Sequence, residues 1–372
     1  MIDNFAHNTP FTIGVEEEYM LCDPHSGELI NCANEIIQSL PDELKPRYSY
    51  ELIQSEIEIN TSVCNDLSSA MDEIIYLRNY TSKLGKKYGF KLGISGTHPT
   101  AICKKQKFVD NKAYNWVSEQ LNYYAKRNIT FANHVHIAVN DAECAIHVAN
   151  SLRRWIAPLL AISTNSPFFE GELTGLRSSR TFQFGVFPRT NIPILFNSYS
   201  DYIEIINKYI DSKTIEMPRQ VWWKIRPHVD YGTIEFRICD MQRNLKNVEL
   251  IIAICQALVH KSVQEYKNGS LIESFNLEFL YDGLWKAARF PFPINMIDPV
   301  TLKITTLSDQ IDKMFEYAYS SLKHFKTDHV LNTFKDIINN GTEADKQIAI
   351  YKSSGFKGLS KYLINDSIFN YN

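Results

Sequence analysis

Short segments with the composition of β-strands alternate along the chain with longer segments that have helical periodicity. The strand candidates are mostly rich in isoleucine, valine, phenylalanine or threonine. They span residues 11–21, 50–60, 90–96, 131–139, 180–187 and 232–240. The helix candidates carry apolar residues three or four positions apart. They span residues 66–89, 141–164, 247–269, 307–325, 329–340 and 343–352. We therefore expect one α+β domain over residues 1–372, with a mainly helical C-terminal portion from about residue 247.

Four of the predicted strands carry two polar residues separated by one position. The pairs are Glu16 with Glu18, Glu56 with Glu58, His134 with His136, and Glu235 with Arg237. Residues two apart in a strand lie on the same face, and in the last three strands the opposite face is apolar. The pattern predicts a sheet whose apolar face packs on helices and whose polar face lines a cleft. Glu17 lies on the other face, where it needs its own partner, either a buried arginine or backbone donors.

Five carboxylates would meet in such a cleft, where they would repel one another or take up protons unless cations were present. They are Glu16, Glu18, Glu56, Glu58 and Glu235. Oxygen-rich sites with an occasional imidazole suit Mg²⁺ or Mn²⁺, and five carboxylates indicate more than one ion. Each pair alone is more typical of a solvated strand face, a hydrogen-bonded histidine pair or a surface ion pair. Four pairs on four strands favour a shared site for metal and phosphate.

Several Mg²⁺ ions in one site most often hold a nucleoside triphosphate, with arginine or lysine beside the transferred phosphoryl group. The sequence contains no G-x-x-x-x-G-K-[ST] motif and no protein-kinase signature set. The predicted cleft therefore differs from the two commonest ATP sites.

Composition narrows the class of partner and the compartment. A formal net charge of −3, from 39 basic and 42 acidic residues, argues against a nucleic-acid coat or a polybasic membrane patch. The seven cysteines are scattered without a C-x-x-C pair, which is typical of reduced, cytosolic proteins. The longest apolar runs are far shorter than the roughly 20 residues of a membrane span. We expect a cytoplasmic protein that acts on small molecules and binds neither nucleic acid nor membrane.

Nine stretches of the sequence resemble the carboxylate–amine ligase family, often described as type 2 glutamate–cysteine ligases, within the glutamine-synthetase-like superfamily. They are "IGVEEEYMLCDPHSGEL" (13–29), "ELIQSEIEINTSVC" (51–64), "GTHP" (96–99), "HVHIAV" (134–139), "SPFFEGELTGLRSSR" (166–180), "PRTNIP" (188–193), "WWKIRP" (222–227), "GTIEFRICD" (232–240) and "GTEADKQ" (341–347). They occur in family order and cover nearly the whole chain.

The resemblance implies a curved, largely antiparallel six-stranded sheet that forms a funnel-shaped active site, with helices on its outer face. It implies the ATP-dependent joining of a carboxylate to an amine through an acyl phosphate, at a cluster of Mg²⁺ ions. The reaction usually attributed to the family is a weak glutamate–cysteine ligase activity. A homodimer is also suggested by the family.

The resemblance also assigns roles to individual residues. The metal-binding set is Glu16, Glu18, Glu58, His134 and Glu235. Either Glu51 or Glu56 joins that set, and strand phase favours Glu56 unless a bulge intervenes. The catalytic set is Arg237, Glu235 and Arg226, with Arg237 facing the transferred phosphoryl group.

Three arginines are expected to bind the nucleotide or the substrate carboxylate: Arg180, Arg226 and Arg237. For Arg180 a structural ion pair is the alternative. His136 is expected to line the cleft, and Trp222 and Trp223 to serve as wall or packing residues.

Four positions depart from the family pattern. Leu173 and Lys224 stand where the family has aspartate, Lys346 where arginine is common, and Glu56 where the family has glutamine. None of these changes removes an expected metal ligand, but the first two change the charge expected near the substrate. The identity of the acid and the amine therefore stays open.

Two other functions compete with the ligase. One is a metal-dependent hydrolase of a small amide or γ-glutamyl compound, which would use the same glutamates and histidines to activate water without ATP. The other is a member of the family that binds a ligand without catalysis. The three arginines favour the ligase, since an amidase has less need of phosphate-matching groups. The intact metal-binding set argues against loss of catalysis.

Overall fold

The computed structural model describes residues 5–365 of the 372-residue chain. Its strands are β1 (Ile13–Cys22), β2 (Tyr48–Tyr50), β3 (Glu56–Asn60), β4 (Lys91–Gly93), β5 (Asn133–Ala138), β6 (Phe168–Phe169), β7 (Glu172–Leu173), β8 (Ile225–His228), β9 (Thr233–Phe236), β10 (Asn295–Ile297) and β11 (Ile304–Thr306). Its α-helices are α1 (Ala33–Ser39), α2 (Leu67–Tyr88), α3 (Lys112–Leu121), α4 (Ala142–Leu152), α5 (Ile156–Ser163), α6 (Ser179–Phe184), α7 (Tyr199–Asp211), α8 (Leu245–Lys267), α9 (Leu277–Arg289), α10 (Leu307–His324), α11 (Leu331–Asn340) and α12 (Glu343–Leu363).

The main sheet is antiparallel throughout and follows the order β2-β3-β1-β5-β9-β8, with β4 paired to the end of β1. The expected α+β class with a large antiparallel sheet is confirmed. Six strands were expected, and the sheet has seven. Six of them form the path from β2 to β8, and β4 is the seventh. Two small hairpins, β6–β7 and β10–β11, lie outside this sheet.

One face of the sheet is covered by helices. Val135 and Ile137 of β5, together with Ile234 and Phe236 of β9, belong to one large buried cluster that includes α4, α5 and α8. Helix α8 is apolar on nearly all sides, as expected of a helix inside a layer of neighbours. The alternation of the strands therefore directs their apolar residues to the helices and their polar residues to the opposite face. No helix within residues 5–365 combines the length and the hydropathy of a membrane span.

The partner of Glu17 is a buried arginine on α2. Arg78 is fully buried; its Nη2 lies 2.5 Å from Glu17 Oε1 and its Nε lies 2.9 Å from Oε2. The hydroxyl of Tyr19 also donates to Glu17. Arg78 donates further to the carbonyl oxygens of Gln242 and Arg243. This one side chain thus ties β1, α2 and the chain segment before α8 together.

Several predicted elements differ from the structure. Of the predicted strand 180–187, residues 180–184 belong to helix α6 and residues 185–187 lie in the turn that follows it, because the Ser178 side chain caps the helix by accepting from Thr181 N. The predicted helix 141–164 is divided into α4 and α5 by a 3₁₀ turn, Arg153–Trp155. Pro158 supports the division, since it has no N–H for a continuous helix and suits the first turn of α5.

The remaining differences concern strand limits and elements absent from the prediction. The predicted strand 50–60 is interrupted at residues 51–55, and the strand predicted at 90–96 is only Lys91–Gly93. Strand β8 and helices α1, α3, α7 and α9 were not predicted. Short segments such as β8 and α1 carry a weak signal, and tertiary packing decides their structure. Helices α7 and α9 are amphipathic, so their periodicity was present in the sequence and was overlooked.

We predict that Arg78→Met destabilises the protein by about 3–5 kcal/mol, because it leaves the Glu17 carboxylate buried without a cation. The double variant Glu17→Gln/Arg78→Met should cost less than the sum of the two single variants. Urea unfolding measures these free energies.

The matched control is Lys208→Met on α7. Lys208 pairs with Glu204 at 2.5 Å, but both side chains are more than half exposed. Its loss should cost less than about 1 kcal/mol. An Arg78→Met variant as stable as this control would contradict the structural role of the buried pair.

Candidate active site

A cavity of about 920 Å³ lies on the polar face of the main sheet. It is lined by side chains from β1, β3, β5, β8 and β9, and also by Tyr114 of α3, Arg180 of α6 and Trp222. Nine of the site residues predicted from the sequence line it: Glu16, Glu18, Glu51, Glu56, Glu58, His134, Arg180, Arg226 and Arg237. The tenth, Glu235, is completely buried beside them. The structure thus brings all ten predicted residues to one place.

Strand register explains why polar residues from distant parts of the chain meet here. The opposed pairs on neighbouring strands are Glu18 with Glu58, Glu16 with His134, His136 with Glu235, and Arg226 with Glu235. Opposed residues in an antiparallel pair have Cβ atoms about 5 Å apart and share a face. A polar pair on each strand therefore becomes one continuous polar surface across five strands.

The side chains on this surface form three overlapping groups, in each of which one ligand atom per residue lies within 4.8 Å of the others. The groups are Glu16, His136 and Glu235; Glu16, Glu58 and His134; and Glu18, Glu51 and Glu58. Because Glu16 and Glu58 each belong to two groups, the three are connected. We call these seven residues the acidic cluster.

The donor set of the acidic cluster fits divalent cations. Glu16 Oε2 accepts a hydrogen bond from His134 Nδ1, at 2.9 Å. His134 Nε2 is buried without a hydrogen-bond partner among residues 5–365. Burial and the nearby charge of Arg237 lower the pKa of His134, which favours the neutral imidazole that binds metals. Several carboxylate oxygens with one or two imidazoles form a site suited to Mg²⁺ or Mn²⁺.

Crowding changes the ionisation of the carboxylates. Burial and the charge of Glu18 raise the pKa of Glu51 to about 8. Burial and neighbouring carboxylates also raise the pKa values of Glu56 and Glu58 well above their ordinary range. Glu16 differs: burial opposes its ionisation, but His136 and His134 outweigh burial and lower its pKa. In the absence of a cation, part of the cluster therefore retains protons.

The structure distinguishes Glu51 from Glu56. Glu51 lies in the interruption between β2 and β3, so strand phase does not determine its direction, and it reaches Glu18 and Glu58. Glu56 is buried in β3 opposite Met20 and lines the cavity, but it enters none of the three groups found in the described part of the chain. The preference for Glu56 from strand phase rested on an uninterrupted strand over 50–60, which the structure does not have.

Two arginines hold the Glu235 carboxylate. Arg226 donates to its Oε2 from Nε at 2.6 Å and from Nη2 at 2.5 Å, and Arg237 donates to its Oε1. Burial opposes ionisation of Glu235, but the two guanidinium groups outweigh burial and hold its pKa far below the ordinary value. Arg226 Nη1 also donates to the carbonyl oxygens of Arg219 and Val221.

Arg237 retains donor capacity that Arg226 does not. Its Nε is buried and has no hydrogen-bond partner within the described residues, and the side chain lines the cavity. Of the two arginines on Glu235, Arg237 is therefore the one suited to bind an anion that enters the cavity.

The contacts of Arg180 bear on both roles that the sequence left open. Its Nη2 and Nη1 donate to the carbonyl oxygens of Arg237 and Ile238, and Nη1 lies 3.8 Å from Asp240 Oδ1. These contacts attach α6 to the end of β9. The side chain also lines the cavity, and its Nε has no partner among residues 5–365.

The positions that depart from the family pattern lie at different distances from the site. Leu173 is exposed in the β6–β7 hairpin, and Lys346 pairs with Glu343 at 2.9 Å; neither lines the cavity. Lys224 is buried, and its pKa falls to about 7 because of burial and the charge of Arg180. Of these three, Lys224 is the one whose charge interacts with Arg180 and Arg237.

An aromatic pair at the edge of the cavity was not predicted. The rings of His228 and Tyr231 are stacked, with centroids 4.2 Å apart and planes 7° apart. Tyr231 is half exposed, and its ring lies 5.7 Å from that of His136. Both residues line the cavity. They lie on β8 and the turn that follows it. Strand β8 was missed because it has only four residues and one of them is Pro227.

The two expected wall or packing residues differ in position. Trp222 lines the cavity, whereas Trp223 packs in a separate buried cluster.

Comparison with known families gives the site its context. The family model described as "Glutamate-cysteine ligase family 2(GCS2)" matches residues 12–352. The chain belongs to this family. The match covers every residue of the acidic cluster and the three arginines, so the resemblance drawn from the nine sequence stretches is confirmed.

Two curated relatives in glutamate–cysteine ligase family 2 match nearly the full chain. The protein of Solibacter usitatus (strain Ellin6076) named "Putative glutamate--cysteine ligase 2" is 34% identical over 358 residues, which are 96% of this chain and 93% of that protein. The protein of the same name from Sorangium cellulosum (strain So ce56) is 31% identical over 360 residues, covering 96% of each chain.

Solved structures support the fold at lower identity. A glutamate–cysteine ligase from Francisella tularensis, in complex with AMP, superposes with a TM-score of 0.75 at 12% identity, covering 98% of this chain and 91% of that chain. A bifunctional glutathione synthetase from Pasteurella multocida gives a TM-score of 0.70 at 14% identity, covering 95% of this chain and 52% of that chain. At these identities the likeness establishes the fold.

The raised pKa of Glu51 predicts how stability depends on pH when divalent cations are removed. The pKa rises from its ordinary value of 4.5 to about 8 on folding, so the folded protein binds this proton more tightly than the unfolded chain. The stabilisation is present in full below pH 4.5 and is lost as the pH rises through about 8. Relative to Glu51→Gln, which cannot ionise, the wild type should therefore lose stability across this range.

Urea unfolding in EDTA, at several pH values for both proteins, measures the difference between their unfolding free energies. Using the difference cancels the histidines and other groups that titrate in both proteins. Addition of Mg²⁺ should oppose the loss, since cations bind the ionised carboxylates. A difference that stays level or grows with pH in EDTA would contradict the placement of Glu51 against Glu18.

Proposed function

We propose that this member of glutamate–cysteine ligase family 2 is an ATP-dependent carboxylate–amine ligase. The observation that carries the proposal is the meeting, in one cavity, of an oxygen-rich acidic cluster with the arginines Arg180, Arg226 and Arg237. The cluster suits the cations that accompany a triphosphate, and the arginines suit the phosphoryl group and a substrate carboxylate. The AMP in the complex of the Francisella tularensis ligase agrees with nucleotide use in this fold.

We propose that the acidic cluster holds more than one Mg²⁺, with Mn²⁺ as a substitute. The ligands would be Glu16, Glu18, Glu51, Glu58, His134 and Glu235, with His136 beside them. When bound, such ions offset the negative charge of the triphosphate and of the carboxylates. The protein's own part is to keep His134 neutral and to hold Glu16 between two imidazoles, which fixes the direction of its oxygens.

The reaction proceeds in two steps. A carboxylate oxygen of the first substrate attacks the γ-phosphorus of ATP, which forms an acyl phosphate and releases ADP. The amine nitrogen of the second substrate then attacks the acyl carbon and loses a proton, and the C–O bond to phosphate breaks to give an amide and inorganic phosphate. Arg237, whose Nε is free, faces the phosphoryl group, and Glu235 with Arg226 holds Arg237 in position.

The finer features implied by the family form part of the same proposal. The six strands from β2 to β8 would curve around the cavity as a funnel, and the protein would act as a cytoplasmic enzyme and assemble as a homodimer. The seven cysteines are all free and buried, which suits a reducing compartment. Glutamate and cysteine, joined at a low rate, are the first substrates to test. The buried Lys224 changes the charge near the arginines and bears on which acid is accepted.

A substrate screen separates the ligase from the metal-dependent hydrolase. With Mg²⁺ and ATP, we expect ADP release only when an acid and an amine are supplied together, beginning with glutamate and cysteine. In parallel, γ-glutamyl amides are incubated with metal but without ATP. Amide cleavage in this second series, with no ADP release in the first, would replace the ligase by the hydrolase.

We predict that Arg237→Met lowers kcat for ADP release by at least about 100-fold, because the variant removes the donor facing the phosphoryl group. Arg289→Met is the matched control: Arg289 is exposed at the end of α9 and does not line the cavity. Steady-state kinetics of both variants, together with circular dichroism to verify folding, tests the role. Equal kcat values for the two variants would remove Arg237 from the catalytic set.

A further inference from the structure

A second, smaller cavity of about 220 Å³ lies on the helical side of the molecule. It is bounded by the 3₁₀ turn Arg153–Trp155, by the turn between β10 and β11, and by α10. Its lining residues are Arg154, Trp155, Asp298, Pro299, Val300, Thr301, Gln310 and Lys313. None of them lines the active-site cavity. The second cavity is therefore a separate site, independent of the proposed ligase function.

The second cavity contains hydrogen-bond donors that lack acceptors. Arg154 is only 7% exposed and Trp155 only 5% exposed. Arg154 Nε, Arg154 Nη2 and Trp155 Nε1 are all buried, and residues 5–365 supply no hydrogen-bond acceptor to any of the three atoms. A buried donor without an acceptor costs roughly 1–3 kcal/mol, and more when the group is charged. Three such atoms at one cavity indicate that a ligand with acceptor atoms belongs there.

Two aromatic rings flank Arg154, and Tyr317 also forms a side-chain hydrogen bond with its guanidinium group. The Cζ of Arg154 lies 4.7 Å from the ring centroids of both Trp155 and Tyr317. Glu265 Oε2 is 4.0 Å from Nη2, which is too long for a hydrogen bond. Burial lowers the pKa of Arg154, and Tyr317 and Glu265 offset this only in part. The guanidinium group is thus fixed in position and incompletely neutralised.

Both oxygens of Asp298, the carboxylate that lines the second cavity, already accept hydrogen bonds. Asp298 Oδ1 accepts from the backbone N–H groups of Val300 and Thr301, both at 2.8 Å. Its Oδ2 accepts from Gln310 at 3.0 Å and from Lys313 at 2.5 Å. Asp298 therefore has no lone pair directed to Arg154, and Lys313 balances its charge. Asp298 and Lys313 thus balance each other, and among residues 5–365 Arg154 has only the more distant Glu265, at 4.0 Å, as a counter-charge.

We propose that the second cavity binds a small oxyanion, either inorganic phosphate or a small carboxylate, through Arg154 and Trp155. An oxyanion carries only acceptor atoms, so it matches a set of partners that are all donors. The guanidinium fork binds two oxygens of such a group, and the indole N–H can supply a third contact. The volume admits a single small anion and excludes a nucleotide.

Crystals of the full chain soaked in selenate test the location directly, since anomalous scattering identifies selenium. Selenate bound between Arg154 and Trp155 supports the proposal, whereas water alone in the second cavity at millimolar selenate overturns it. Soaks with added phosphate or acetate identify the source. Displacement by phosphate indicates a phosphate site, and displacement by acetate indicates a carboxylate site.

Calorimetric titration of phosphate, or of acetate if acetate displaces selenate, measures the affinity in solution. We expect Trp155→Phe, which keeps the aromatic ring but removes the N–H, to weaken binding about tenfold. In the Arg237→Met background, which reduces the contribution of the active site, Arg154→Met should abolish the binding that belongs to the second cavity. Arg237→Met is the matched control, since it alters anion binding in the active site and leaves the second cavity unchanged. Binding that disappears in Arg237→Met but persists in Trp155→Phe and Arg154→Met would overturn the proposal. If Arg154→Met does not fold, Trp155→Phe and the selenate soak decide the question.

Discussion

The crowding of carboxylates on one buried face of the main sheet is the constraint on which the rest of this structure depends. Each ionised carboxylate there must have a positive partner, a set of hydrogen-bond donors or a bound proton. Glu235 has Arg226 and Arg237, and Glu16 has two histidines. Within residues 5–365 neither Glu51 nor Glu58 forms an ion pair, and their pKa values are raised. This uneven compensation defines where divalent cations would stabilise the fold as well as take part in the chemistry.

Strand alternation converts a local sequence pattern into this site. In β1, Glu16 and Glu18 face the cavity while Glu17 faces α2, where Arg78 neutralises it. The three consecutive glutamates therefore serve two different environments, separated by the thickness of the sheet. The ion pair with Arg78 stabilises the position of β1, and β1 supplies the side chains at the centre of the acidic cluster. Strand β1 thus contributes to stability through Glu17 and to the candidate chemistry through Glu16 and Glu18.

The sequence was sufficient to predict which side chains share the polar face of the sheet. It was insufficient to predict which residues from distant segments contact one another. Period-two pairs such as Glu16 with Glu18 predicted a shared face because alternation is a local property of the backbone. Arg78, 61 residues from Glu17 in the chain, had no local signal, since tertiary packing alone brings α2 against β1. Strand phase could not give the direction of Glu51, because the predicted strand 50–60 is interrupted at the segment where Glu51 lies. Residues 180–187 have alternating apolar positions, yet the cap at Ser178 starts a helix there.

The same rule applies to both cavities: a buried donor or acceptor needs a partner. The two cavities differ in the charge of the partner that is missing. The acidic cluster has an excess of acceptors, which cations would complete, and the second cavity has donors without acceptors, which an anion would complete. The buried pair of Glu17 and Arg78 shows what this fold does where a partner is available within the chain: each nitrogen of the guanidinium group has an acceptor. Arg154 is buried to a similar degree, yet two of its nitrogens have no partner among residues 5–365. This contrast between Arg78, which has an acceptor for each nitrogen, and Arg154, which does not, is the basis for proposing that Arg154 binds a ligand from solution.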